Sequence, residues 1–245
     1  MLAQEASQPA VRGNQLAYRS WRADNRGLIS MKIGANEQWR FVTFFEAASP
    51  IFSPDGQFFI FHSRQGGETP ALYRTFGENH EVMRHDSFPI QGNSPALTPD
   101  ENIIYRSCTG GSCGLFLTSL DGGFLQQLTT HANDTAPVAS PDGEKIAFTS
   151  NRSGNWDVYA LDKNGQDVRQ LTQYAGNDGL PTWSPDGQTI AYVSDHDGTW
   201  AVWAMTSTGD NQQLLFDLQG SIDGKVQIDL NNSLGWLEER IVWIP

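Results

Sequence analysis

Basic residues are scarce in this chain of 245 residues: 16 Lys and Arg stand against 28 Asp and Glu, a net charge of −12. Such an acidic field opposes phosphate backbones, and no basic stripe with interleaved aromatics interrupts it, which argues against nucleic-acid binding. Acidity favours solubility and cationic or basic partners, and a solvated acidic surface is its plainest meaning. No apolar run approaches 18 residues, so a membrane-spanning helix is excluded. Met1–Ala10 lacks the basic and apolar regions of a signal peptide; an exported protein would have lost that segment or carry it upstream. Only two cysteines occur. No second Cys or His pair has ligand spacing, which argues against a zinc site. Helical periodicity is missing over any useful length.

What the chain does have is a repeated turn. Ser-Pro-Asp-Gly occurs at Ser53–Gly56, Ser140–Gly143 and Ser184–Gly187, and a decayed copy, Thr98-Pro99-Asp100-Glu101, fills the gap between the first two. In Pro54-Asp55-Gly56, Pro141-Asp142-Gly143 and Pro185-Asp186-Gly187 each residue has a structural task. Proline pre-sets φ, aspartate bonds backbone amides, and glycine takes the positive-φ position. The decayed copy has Glu101 where the glycine belongs, which puts its hairpin geometry in question. Each copy follows a short apolar run opened by proline (Pro50, Pro95, Pro137, Pro181) and precedes a β-type run. The period of about 42–45 residues is that of a blade-like repeat.

Two further signals keep the same phase. A polar hairpin such as Asn151–Asn155 or Asp195–Thr199 leads into an aromatic or apolar strand. A glycine turn then leads to a short strand containing Leu128-Thr129 or Leu171-Thr172. Four short strands joined by tight turns form one blade of a β-propeller. Pro181–Tyr192, Asn151–Tyr159 and Leu171-Thr172 together resemble the TolB-type WD-like propeller repeat over nearly the whole chain.

The fold expected is all-β, a single propeller domain over 1–245 built of four-stranded antiparallel blades. Five repeats lie at roughly 9–46, 47–92, 93–134, 135–179 and 180–224. Residues 1–8 and 225–245 read as parts of a split sixth blade, with Trp236 at the place of Trp183. A six-bladed design whose chain begins late is the first expectation; a five-bladed ring with a C-terminal appendage is the alternative.

Cys108 and Cys113 flank Thr109–Ser112 at a strand hairpin of the third blade and are a disulfide candidate, which would place the protein in an oxidising compartment; two free thiols are the alternative. Three motif matches fail on context. Gly110–Gly114 matches the Gly-x-Ser-x-Gly elbow, but both flanks read as antiparallel strands and no helix follows. His80 and His85 are five apart in a strand and point to opposite faces. Asp195–Gly198 lacks the third oxygen ligand and the twelfth-position glutamate of an EF-hand loop. Trp183, Trp236, Trp156 and Trp200 are expected to fill space between blades.

If the Ser-Pro-Asp-Gly turns share one face, the other face gathers Asp134, Asp178, Asn232, Asn151, Arg152, Asp195, His196 and Asp197, with Arg22 and Asp24. Asp134 and Asp178 stand three residues before the blade-opening Pro137 and Pro181. They would cap the inner strands through backbone amides, or also hold a peptide, a sugar, or a calcium or other cation at the channel mouth. No catalytic constellation and no cofactor motif is visible. The family resemblance implies a non-catalytic protein-interaction or ligand-sensing module of the cell envelope, periplasmic or extracellular. A protein or peptide partner is then expected, for a monomer that is part of a larger parent protein. Two alternatives stand beside it, since fold alone does not settle function. One is a propeller lyase or glycosidase using Asp134 and Asp178; the other is the accessory propeller of a prolyl-oligopeptidase-type hydrolase.

Overall fold

A computed structural model describes residues 6–35, 37–43, 46–65, 69–76, 81–84, 90–218 and 235–243. Among the described residues twenty strands form five sheets, each a four-stranded antiparallel meander. Blade one holds β1 (Ala6–Arg12), β2 (Gln15–Ser20), β3 (Gly27–Lys32) and β4 (Gln38–Val42). Blade two holds β5 (Ala48–Phe52), β6 (Phe59–Ser63), β7 (Ala71–Phe76) and β8 (Glu81–Arg84). Blade three holds β9 (Asn93–Leu97), β10 (Ile103–Thr109), β11 (Ser112–Thr118) and β12 (Leu125–Gln127). Blade four holds β13 (Thr135–Ala139), β14 (Lys145–Ser150), β15 (Asp157–Asp162) and β16 (Arg169–Gln170). Blade five holds β17 (Asp178–Trp183), β18 (Thr189–Ser194), β19 (Ala201–Thr206) and β20 (Gln213–Asp217). The first strand of every blade faces the ring axis, and consecutive first strands pack side by side from β1 to β17.

The repeated turn does what its residues dictate. Ser184 Oγ donates to Asp186 Oδ1 at 2.6 Å, Gln188 N donates to the same oxygen at 3.0 Å, and Thr189 N donates to Ser184 Oγ at 3.0 Å. Gly187 closes the turn at φ 70°. The copies at Ser53 and Ser140 repeat this pattern. At the decayed copy, Glu101 takes the left-handed position at φ 64° and its amide still donates to Thr98 O at 3.0 Å. The hairpin is therefore kept at the cost of local strain, of order 1–2 kcal/mol for a side chain in that region.

Leu-Thr has an equally local cause. Thr129 and Thr172 hydroxyls accept the amides of Leu115 and Val158 at 2.9 Å, fixing the fourth-strand segment to the third strand. The glycine turn of the following blade then packs on the leucine. A Cβ on Gly165 would lie 2.8 Å from Leu128 O. Cross-strand aromatic pairs recur in register, with Phe61–Tyr73, Tyr105–Phe116 and Phe148–Tyr159 stacked at 5.5, 5.9 and 5.7 Å.

The core lies between blades: each interface from one–two to four–five has its own buried cluster. The far side of blade five instead buries Leu180, Val193 and Val202 against Trp236 and Leu237. That contact corrects the expected split sixth blade. Gly235–Glu238 is a short 3-10 turn and 239–243 forms no strand, while Ala6, Ser7 and Gln8 belong to β1. Residues 1–5 and 225–234 lie outside the described residues. The five-bladed ring with a C-terminal appendage is the arrangement seen. Its physical reason is that Trp236 finds an aromatic pocket and Arg240 finds backbone carbonyls inside the ring, so the segment serves as filling rather than as an added sheet.

Candidate functional site

Every inner strand carries one feature that the sequence hid. Gln8, Ser49, Ser94, Ala136 and Leu180 all have positive φ, between 47° and 54°. Each directly precedes the blade-opening proline, and each sits at or beside a shift in strand register. A bulge at this spot re-aims the strand at the ring axis, in a conformation that side chains and the following proline both disfavour. Neighbouring blades hold two of these amides: Ser49 N donates to Gln8 Oε1 at 2.8 Å, and Leu180 N to Thr149 Oγ1 at 3.0 Å. The recurring X-Pro pair was the available signal; it reads as an extended dipeptide and gives no hint of the bulge.

These strands enclose a cavity of about 360 Å³ lined by residues from all five blades. The C-terminal segment runs through the ring. Trp236 lies beside the third-strand tryptophans Trp156 and Trp200, with ring centroids at 6.4 and 5.0 Å. Glu239 Oε2 accepts Gln8 N at 3.3 Å. Arg240 Nη1 and Nη2 donate to Pro50 O and Pro95 O, each at 3.0 Å. Trp243 emerges among Pro54, Pro99, Pro141 and Pro185 on the face of the Ser-Pro-Asp-Gly turns. Burial pulls the Arg240 guanidinium down to about 10, leaving it cationic at neutral pH. His62, opposite Ala48 on β6, is pushed down to about 3 by burial and by Arg19, Arg240 and Arg64, and so is neutral.

Of the polar residues expected on the opposite face, Asp134, Asn151 and Arg152 lie in one group and Asp195, His196 and Asp197 in another, and no described hydrogen bond or ion pair links the two. Between blades three and four, the fully buried Asp134 accepts Arg152 Nη2 at 2.6 Å and lies 3.5 Å from His131 Nδ1. Arg152 also donates through Nε to Ser150 Oγ at 3.1 Å. Asn151 supplies the carbonyl that closes the turn at Gly154. At blade five, Asp195 accepts Asn177 N and Nδ2 at 2.6 and 2.9 Å. His196 stacks on Tyr174 and contacts Trp203, both at 4.3 Å between centroids, and its Nε2 lies 3.2 Å from Asp197 Oδ1. Arg22 and Asp24 form an exposed pair at 2.9 Å. Asn232 lies outside the described residues.

Asp134 is bonded to Arg152 rather than to an amide, both carboxylate oxygens of Asp178 are buried with no hydrogen-bond partner among the described residues, and Asp195 accepts a backbone amide. Asp178 is fully buried and faces the hydroxyls of Ser194 and Thr172. Burial raises its carboxyl above the usual range, and Asp157 nearby adds to the rise. Asp157 is raised by burial in spite of bonds from Ser153, Gln170 and Thr172. The sequence motif contained Asp157 and Thr172 but gave no sign that they would meet Asp178. Neither Asp134 nor Asp178 lines the channel cavity. Among the described residues no group of three or more His, Cys, Asp or Glu is placed to hold a metal ion. Cys108 and Cys113 face each other across β10 and β11 and are disulfide-bonded. Among the described residues no helix is long and apolar enough to cross a membrane.

Comparison with known proteins agrees with this architecture. A TolB homolog from Chlorobium chlorochromatii is 28% identical over 149 residues, 58% of this chain and 32% of that protein. The Tol-Pal system protein TolB of Francisella tularensis is 27% identical over 97 residues, 38% of this chain and 22% of that protein. The match thus spans a third or less of these curated relatives. The crystal structure of TolB from Acinetobacter baumannii superposes with a TM-score of 0.76 at 25% identity, covering 88% of this chain and 55% of that one. The family model of the TolB beta propeller domain matches residues 93–229, more than half of the chain, and the protein belongs to that family.

Proposed function

We propose that the protein is a protein-interaction propeller of the cell envelope, acting in a Tol-Pal-type system. The observation that carries this reading is membership of the TolB propeller family, joined to relatives named for that system. The rigid ring supports it physically: it presents polar loops whose charged groups, Asp197 and the Arg22–Asp24 pair, are exposed. Rigid scaffolds with exposed polar loops are how such domains make contacts. The disulfide between Cys108 and Cys113 is in keeping with an oxidising envelope compartment. The acidic charge favours a partner with a basic docking surface. The protein is read as a binding module without catalytic activity and without a cofactor. The test is direct binding of the full chain to the purified soluble domains of the Tol and Pal proteins of the same organism. Saturable binding that weakens at least ten-fold on Asp197→Lys or Arg22→Glu is expected. Absence of binding to all of them would overturn the reading.

One observation favours a second reading, an acid–base enzyme: Asp178 is a carboxyl raised by burial beside Asp157. Both side chains are fully buried, which leaves no described path for a substrate. Turnover of an acidic or neutral oligosaccharide that disappears in Asp178→Asn would establish it.

A further inference from the structure

Arg240 stands apart in a chain of net charge −12. Its guanidinium carries five N–H donors, and its described partners are two backbone carbonyls, Pro50 O and Pro95 O. Among the described residues no carboxylate lies within ion-pair distance of it. The adjacent Glu239 lines the channel cavity, and its Oε2 accepts the Gln8 amide of β1 at 3.3 Å. Arg240 is partly buried, and a guanidinium drawn partly out of water gains from a charged partner. Arg240 also lines the channel cavity of about 360 Å³. The remaining wall is mostly aliphatic, with Ile51, Leu97, Val138 and Ile241 among its members. A second guanidinium, Arg12, lies on the same wall, but its Nε is bound to Pro54 O at 2.9 Å and Asp55 is its nearby counter-charge. The space left beside the threaded C-terminal segment, about 360 Å³, is at the lower end of what holds a small molecule.

We propose that this cavity is a binding site for a small organic carboxylate with an apolar body, its carboxylate seated on the unengaged N–H groups of Arg240 and its hydrocarbon part against Ile51, Leu97 and Val138. Both halves of the ligand follow from the wall. A guanidinium matches a carboxylate in geometry and charge, and the aliphatic side chains gain only from apolar surface. The site lies on the ring axis, away from the exposed loops proposed to meet a protein partner, and does not depend on that reading.

The test uses the full chain and three probes of one shape: 4-phenylbutanoate, 4-phenylbutan-1-ol and 4-phenylbutan-1-amine, titrated by calorimetry. One-to-one binding of the carboxylate is expected, at least ten-fold tighter than the alcohol, with no measurable binding of the amine. Arg240→Gln should reduce carboxylate affinity at least ten-fold and bring it level with the alcohol. Val138→Phe, which fills the cavity and leaves Arg240 in place, should weaken both. Equal affinity for carboxylate and alcohol on the unaltered chain, or no saturation by the carboxylate below ~1 mM, would overturn the proposal. A folded Val138→Phe variant that binds as the parent does would overturn it equally. The comparison of probes on the parent chain holds even if Arg240→Gln fails to fold.

Discussion

Replacing Trp236 by alanine is the sharpest test of the threaded segment. The indole is buried, at 7% exposure, and touches three supports. These are the rings of Trp156 and Trp200, the apolar cluster of Leu180, Val193 and Val202, and the backbone at Gly179. A Cβ on Gly179 would come within 2.7 Å of the Trp236 ring, so the indole is packed without slack. Removing a buried tryptophan costs about 3–5 kcal/mol, of which the two aromatic contacts supply roughly 0.5–1.5 kcal/mol each. Against a typical total stability of about 5–15 kcal/mol, the effect should be large in urea denaturation followed by circular dichroism. A second readout is local. In the parent, Arg240 is held by Pro50 O and Pro95 O and should resist trypsin under native conditions. Since every ~1.4 kcal/mol is ten-fold in an equilibrium, a loss of about 3 kcal/mol raises release of the segment by two orders of magnitude or more, and cleavage after Arg240 should rise in step. Trp236→Phe should lie between the two. A loss under about 1 kcal/mol, with unchanged proteolysis at Arg240, would refute the seating of this segment and return the sixth-blade reading to consideration.

Three further outcomes follow from other parts of the ring. Glu101→Gly should stabilise by up to about 1 kcal/mol, because relief of the left-handed side chain (~1–2 kcal/mol) exceeds the added freedom of the unfolded chain (~0.4–1 kcal/mol); Gly143→Glu in the equivalent turn should lose a similar amount, and thermal unfolding of the pair decides it. His62 titrates near 6.5 when unfolded and about 3 when folded, so the unfolded chain binds the extra proton. Stability should therefore be unaffected by this group above pH 6.5 and fall as pH drops toward 3, by at most about 1.4 kcal/mol per unit; His62→Gln should flatten that part of the pH profile, and an unchanged slope would show that other groups set it. Asp178 has the opposite sign: its folded value is raised above 3.8, so its favourable contribution is present below 3.8 and is lost as pH rises through the folded value. Asp178→Asn should accordingly be neutral or stabilising at pH 7, and a drop of more than about 1 kcal/mol there would mean that the ionised carboxylate is needed.

The propeller and its four-stranded antiparallel blade could be read from the chain because their causes are local. A Ser-Pro-Asp-Gly turn satisfies its own amides within six residues, and Leu-Thr clips one strand to its neighbour through a single hydroxyl. Even the decayed copy kept its hairpin, since the turn geometry depends on backbone hydrogen bonds that Glu101 still makes. Three matters were settled only by tertiary structure. Whether the segment after residue 234 adds a blade or threads the ring depends on pockets built from residues distant in sequence, such as Gly179 and Trp156 for Trp236. Whether Asp178 caps an amide or is buried beside Asp157 depends on how blades four and five press together. The positive-φ bulges before the prolines at Ser49 and Leu180 are held by hydrogen bonds from the neighbouring blade, so packing between blades fixes them. The sequence by itself determined the repeat, the strand order within a blade and the net acidic charge. The contacts between blades decided what fills the channel and set Arg240 on its wall with no carboxylate partner among the described residues, because they join residues that no local pattern brings together.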